Sequence, residues 1–519
     1  MRQLLLLLII GFTITLTSCR NDFDFEPSQG GLGFSRDTVY LDTVFTNIGS
    51  STYTLKVYNR SDKDIKIPSI KLGQGENSKY RLMVDGMPGK SFTNVELMAK
   101  DSMFIFIETT IDYNEYVNNQ TTFLYTDNIQ FDSTNGQQKV ELVTLVQDAV
   151  FLYPQRDDAG NYETIPISET DNTQIYGFNL NEAEHGNELI WTNTKPYVVY
   201  GYAAVPTGKT LSVNPGARVH FHANSGLIVR PGASLKVGNE FDAPTEENQV
   251  IFEGDRLEPD FAEIPGQWLA IWLQQGSTAN SLNNMILKNS TVGILMEGND
   301  GTTQTLKLKN VQIYNSTNVG ILSRYGTIYG ENVVINNAGE ASFAGTLGGY
   351  YRFRHCTFAN YFNSFNQVPV LLTDNLPGND PADLDAVFEN CILYGSSNYG
   401  FLFDKISQPG QVEFNYKFVN CFIKFADSAN RFGNDPLYDF ANLDLFSAGC
   451  KIAQNTTTYV PDFEDPENNK LAIGQDSAAR DMADPAVSAL VPVDIANKQR
   501  GGDGTTPDVG AYESTIFED

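Results

Sequence analysis

The chain has 519 residues, of which 41% are hydrophobic, 12% aromatic and 19% charged. That is enough apolar side chain for two or three domains with real cores, and it excludes global disorder. Asp and Glu number 63 against 35 Lys and Arg, a net charge of −28, and a field of that sign repels phosphate backbones and counts against nucleic acid as a partner.

The first 18 residues read as a signal peptide, with Arg2 as the basic start and an apolar run from Leu4 to Ile10. Thr13, Thr15, Thr17 and Ser18 dilute the run below the ~20 apolar residues a spanning helix needs. Leu16-Thr17-Ser18-Cys19 resembles the lipobox of bacterial lipoproteins. The resemblance implies cleavage before Cys19 and a diacylglycerol on its thiol, so the expected partner of the N-terminus is outer-membrane lipid. Arg20 is not the aspartate that marks inner-membrane retention in such proteins, and Asp22, Asp24 and Glu26 are similar to tags that carry lipoproteins to the exterior face. The expected location is therefore the outer membrane, lipid-anchored and facing the exterior.

Residues 19–36 are rich in Gly, Ser and acids without periodicity, and read as a linker. From Asp37 the pattern changes to short alternating runs, among them TVYLDTVF, TLKVYN, IKIPSIKL, MFIFIETTI and VELVTLV. Alternation with period two, broken by turn residues such as Gly73, Gly86 and Asn135, predicts a two-sheet sandwich over 37–149. The pattern resembles disulfide-free immunoglobulin-like domains, although the Cys-Trp-Cys signature of antibody domains is absent. Residues 150–196 have no clean period and are expected to link the sandwich to a downstream solenoid and cap its N-terminal end.

In that downstream region one unit recurs: LNNMILKNSTVGIL from Leu282, LKNVQIYNSTNVGIL from Leu308, GENVVINNAG from Gly330, FRHCTFANY from Phe353, FENCILYG from Phe388 and FVNCFIKF from Phe418. Its turn position reads Asn284, Asn310, Asn332, His355, Asn390 and Asn420, at intervals of 26, 22, 23, 35 and 30 residues. Such periods belong to one coil of a solenoid, with insertions in the longer intervals. In a parallel coil each strand lies on its equivalent, so like stacks on like. Met285, Val311, Val333, Cys356, Cys391 and Cys421 form one interior column and Leu287, Ile313, Ile335, Phe358, Leu393 and Ile423 another, while Gln312, Val334 and Thr357 point outward. The asparagine column is expected to form a hydrogen-bonded ladder. The thiols read as a reduced apolar ladder without disulfides, and Cys450 stands apart, buried and inert.

Upstream strands around Gly216-Ala217 and Gly232-Ala233, and the ending Asp508-Val509-Gly510-Ala511-Tyr512-Glu513, complete a resemblance to the right-handed parallel β-helices of the pectate-lyase-like superfamily. The expected fold is thus all-β: an immunoglobulin-like β-sandwich, then a right-handed parallel β-helix over 197–515 with about eight to ten coils. Arg500 is expected to clasp Asp508 or Glu513 at the terminal coil.

Relatives of that fold include polysaccharide lyases and hydrolases, so the residues must decide. The outward columns place Lys307 with Arg352, and Lys309, Glu331, Arg354 and Glu389 in the next, a mixed-sign stripe suited to surface ion pairs. Arg324, Arg352 and Arg354 with Tyr325 and Tyr351 are the candidates for an anionic glycan contact. Trp268 and Trp272 share a strand face, forming a sugar platform if outward and plain core if inward. No carboxylate dyad stands on the regular strands, and Asp374, Asp380, Asp383 and Asp385 read as a solvated loop. His220 and His222 read as an exposed pair short of further metal ligands, and with His185 and His355 they make no triad. No cofactor or metal is expected. The reading is a surface-displayed binding or scaffold protein for a glycan or an envelope protein; the alternative is a polysaccharide lyase or glycoside hydrolase.

Overall fold

The computed structural model describes residues 24–116, 122–168, 173–183, 186–298, 306–364, 366–408, 410–454, 457–502 and 504–517. The signal peptide, Cys19, Arg20, Asp22 and His185 lie outside the described residues. The chain divides into two compact units, Met1–Asp148 and Ala149–Asp519.

In the first unit, two sheets share one apolar core. One holds Glu26–Pro27, Ile65–Leu72, Thr122–Ser133, Gly136–Gln147 and Thr38–Phe45 in that order, with Ser91–Leu97 paired to Ile65–Leu72. The other orders Gly33–Phe34, Tyr53–Tyr58, Ser102–Thr109, Tyr80–Val84 and Met87–Gly89. Alternation sorts each strand: Ile105 and Ile107 are in the core while Phe104 and Phe106 stand outward. The stretch expected to be a linker already contributes strands to both sheets, and Leu32 is in the core. Two-residue strands carry no readable period, which is why sequence pattern passes over them.

The second unit is built on two large parallel sheets, of 17 and 10 strands, consistent with a β-helix. Successive coils stack in the register the repeat predicts: Met285, Val311 and Val333 are opposed, as are Leu287, Ile313 and Ile335. Every member of both interior columns is fully buried. The stacking begins earlier than expected, because Val150–Leu152 pairs with Tyr197–Val199. At the far end, Phe432, Tyr438, Phe440 and Phe446 close the last coil, with Phe446 stacked on Phe418 at 5.4 Å.

The asparagine positions all adopt left-handed backbone, φ 47° to 55° from Asn284 through Asn310, Asn332, His355, Asn390 and Asn420. A left-handed residue bends the strand without breaking its register, and Asn tolerates that conformation better than other non-glycine residues. Asn310 Nδ2 donates to Asn284 Oδ1 at 3.0 Å, and Asn332 Nδ2 to Asn310 Oδ1 at 2.9 Å. His355 substitutes within the column, at 3.0 Å from Asn390 Nδ2. The ladder's last rung falls at Gly449-Cys450, in place of an Asn-Cys pair. The Cys421 amide donates to Cys450 Sγ at 3.4 Å, as the Cys391 amide does to Cys421 Sγ. Cys450 therefore continues the thiol column rather than standing apart, and all four described thiols are free. Burial pushes the Cys391 and Cys421 thiols well above their ordinary value.

The chain after Lys451–Ala453 does not add coils up to 515. It doubles back along the side of the stack as a strap, and its apolar residues Leu471, Ile495 and Ala511 bury Val334 and Ala359. Val334 and Thr357 point outward from the coils as expected, yet are buried beneath this layer. Met482 and Val493 carbonyls accept from Asn420 and Asn332, so the strap runs beside the asparagine column. Arg500 does clasp Glu513, at 3.1 Å, but on the flank of the stack, where its guanidinium also donates to Asn332 Oδ1 at 2.8 Å.

Candidate functional site

The charged stripe predicted from sequence exists and is ion-paired along its length. Arg354 and Arg352 both reach Glu389 Oε2, at 2.7 and 3.1 Å. Arg354 also donates to the Tyr329 hydroxyl, which donates to Glu331, and Lys309 lies 3.7 Å from Glu331. Burial works to raise Glu389, but the hydrogen bonds from Arg352 and Arg354 outweigh it and hold the carboxyl below its usual range. Each charge on the stripe already has an opposite partner, Lys307 at 2.7 Å from Glu240 included, although Arg352 and Arg354 share one carboxylate and leave a small positive excess.

The other predicted contacts do not join it. Arg324 and Tyr325 belong to the end of Val319–Arg324 in the ten-stranded sheet, where Arg324 is 3.8 Å from Glu297. Tyr351 is core, its hydroxyl donating to the Gly348 carbonyl at 2.8 Å and lying 3.2 Å from the Ser323 hydroxyl. Trp268 is core too, stacked on Phe221 at 4.3 Å, with its indole N–H on the Lys288 carbonyl. Trp272 is outward and half-buried against Tyr202. The two tryptophans do not share a face, because the regular strand begins only at Ile271, whose side chain and that of Leu273 take the interior positions. His220 and His222 are not an exposed pair, because His220 is buried; His222 is exposed as expected, 2.7 Å from Asp255. Among the described residues no group of three or more His, Cys, Asp and Glu is placed to hold a metal ion.

Sequence reasoning missed a groove of about 1020 Å³ at the opposite ends of the same strands. Its base is a second left-handed asparagine column, in which Asn315 and Asn337 have φ of 56° and 54°. The wall is formed by Tyr361, Phe362, Asn363, Ser364, Asn366 and Gln367 of an insertion and by the turn at residues 396–399. Buried Asn360 fixes the root of that insertion: its Nδ2 donates to the Ala338 carbonyl at 2.7 Å, and its Oδ1 accepts from the Phe362 amide at 3.1 Å. Gln367 Nε2 donates to Ser396 Oγ, tying insertion to turn. Gln367 Oε1 is buried without a hydrogen-bond partner, the one such atom in the groove lining among the described residues. Tyr399 packs on Phe425 and Phe432 at 5.1 and 5.3 Å.

Charge enters at the margins. Glu263 accepts from Asn315 Nδ2 at 2.5 Å and Asn469 Nδ2 at 2.9 Å; Glu467 comes from the strap, and Arg431 from the last coil, its guanidinium 5.2 Å from the Phe432 ring. What the groove offers is amide and hydroxyl groups beside aromatic rings, a set that suits multiple hydroxyl groups on a flat molecule. The signals in the sequence were the lengthened interval between His355 and Asn390 and the side-chain types of YFNSFNQ and SSNY.

No protein-family model matches the chain, and no curated protein matches it in sequence. Among solved structures, the catalytic domain of a GH87 α-1,3-glucanase in complex with nigerose aligns over 71% of this chain and 82% of its own, at 12% identity and a TM-score of 0.17. A family 123 glycoside hydrolase from Clostridium perfringens aligns over 24% of this chain and 30% of that one, under a third of its length, at 8% identity and a TM-score of 0.16. The PapD-like domain 7 of human CEP192 aligns over 26% of this chain and 94% of that domain, at 11% identity and a TM-score of 0.16. At those scores neither residues nor activity carry over.

Proposed function

We propose that this chain is a glycan-binding lipoprotein of the outer membrane that holds its ligand without transforming it. Its sandwich is then immunoglobulin-like and its coils a right-handed, pectate-lyase-like β-helix. Cys19 carries the lipid and the protein faces the exterior, readings that rest on the lipobox and the residues after it. The observation that carries the binding proposal is the groove wall of amides, hydroxyls and rings from Tyr361 to Gln367 and Ser396 to Tyr399. An envelope protein as partner is the competing outcome.

Native electrophoresis of the detergent-solubilised full chain through gels containing polysaccharides tests the proposal. Retardation by at least one polymer is expected, and Asn398→Ala and Tyr399→Ala should each weaken it about tenfold, Asn398→Ala with the melting temperature left in place. Identical migration of all three proteins in every gel removes the glycan reading. Release of reducing ends or unsaturated products moves the protein to the enzyme reading, with Glu263 and Glu467 the first residues to exchange. Incorporation of labelled palmitate should vanish in Cys19→Ala; unchanged labelling refutes the anchor.

A further inference from the structure

Resting on the glycan reading above, we infer that the groove takes an uncharged polysaccharide chain, laid along the stack of coils rather than across it. Direction comes from construction. Asn315, Asn337, Tyr361, Ser396 and Arg431 belong to successive coils, so the groove runs through four coil rises of about 4.8 Å, roughly 19 Å in all. That length suits several linked sugars and exceeds a single one.

The ligand class is set by charge. Among the described residues, the wall contributed by the insertion and the turn carries no ionisable group except the tyrosine hydroxyls, so none of those groups in the middle of the groove pairs with a carboxylate or sulfate. At the margin, Glu263 and Glu467 outnumber Arg431, and the whole chain adds a net charge of −28. A uronate polymer would meet repulsion along its length, whereas an uncharged polymer loses nothing. Amide side chains at Asn363, Asn366 and Asn398 both donate and accept, as sugar hydroxyls do, and the Tyr399 ring supplies an apolar face.

The test compares polymers of matched length in native affinity gels of the full chain: β-glucan, α-glucan, mannan, galactan and xylan against polygalacturonate and alginate. Retardation by one or more of the uncharged set is expected, unchanged within about twofold when salt is raised, with the uronates leaving mobility free. Tyr399→Ala and, independently, exposed Asn398→Ala should each weaken retardation by about tenfold. Uronates that retard the protein as strongly as any uncharged polymer overturn the charge assignment while the glycan reading stands. Free mobility in every gel overturns both.

Discussion

Two asparagine columns bound the same short strands and meet opposite fates. At one end, Asn284, Asn310 and Asn332 bond one another, with the Asp242 carbonyl completing Asn284 and Arg500 and the Val493 carbonyl of the strap completing Asn332. At the other, Asn315 and Asn337 use the same left-handed backbone but bond to Glu263, Asn469 and the Glu467 carbonyl, and they border an open groove. The repeat builds both corners identically; what lies over them decides whether a corner is structure or surface. Asn315 and Asn337 are answered inside the protein as well, so what the open corner has left to offer a ligand is the exposed amides of Asn363, Asn366 and Asn398 beside them.

The largest expected effect comes from unclasping the closed corner. In Arg500→Ala, Glu513 loses its buried partner and Asn332 a donor, which should cost about 3–5 kcal/mol and free the strap for early proteolysis. Urea unfolding with limited digestion checks this, and a cut pattern like that of the unaltered protein would break the distinction drawn between the corners. Next in size, Asn310→Ala forces alanine into left-handed backbone and removes two ladder bonds, an expected loss of about 2–4 kcal/mol. Asn310→Gly should recover the conformational part only. Asn337→Ala at the open corner should lose less, about 1–2 kcal/mol. An equal loss at both positions would mean that the covering layer adds nothing.

The smallest effect belongs to the flat face between the corners. Glu389 has its folded pKa held below the ordinary 4.5, so its stabilisation is present above 4.5 and is lost as pH falls through the folded value. Glu389→Gln should therefore cost about 1 kcal/mol at neutral pH and almost nothing well below pH 4.5, read from unfolding midpoints. Glycan retardation should not change, which sharpens the assignment of binding to the groove alone.

Much of the coil was legible in the sequence because stacking makes chemistry periodic. The asparagine and thiol columns and both interior columns align as their spacing implies, apart from the rung at Gly449-Cys450, where the asparagine that marks the turn is missing. The strap was illegible because it has no period and its bonds join residues as far apart as Asn332 and Arg500, 168 positions along the chain. Tyr351 was misplaced because a residue whose hydroxyl finds partners inside, here Ser323 and Gly348, need not face water. The groove was missed because the insertion after Asn360 obeys no alternation, and its root is held by Asn360 through the Phe362 amide and the Ala338 carbonyl.

The strap also sets an order of assembly. Ribosomes deliver the chain from its N-terminus, so Val334 and Ala359 emerge long before Ile495 and Ala511, which cover them. Until the final stretch is synthesised, the middle coils carry a bare apolar flank, and a nascent chain stalled short of Arg500 is a sticky one. Completion of this protein, unlike that of a simple stack of repeats, waits on its closing residues.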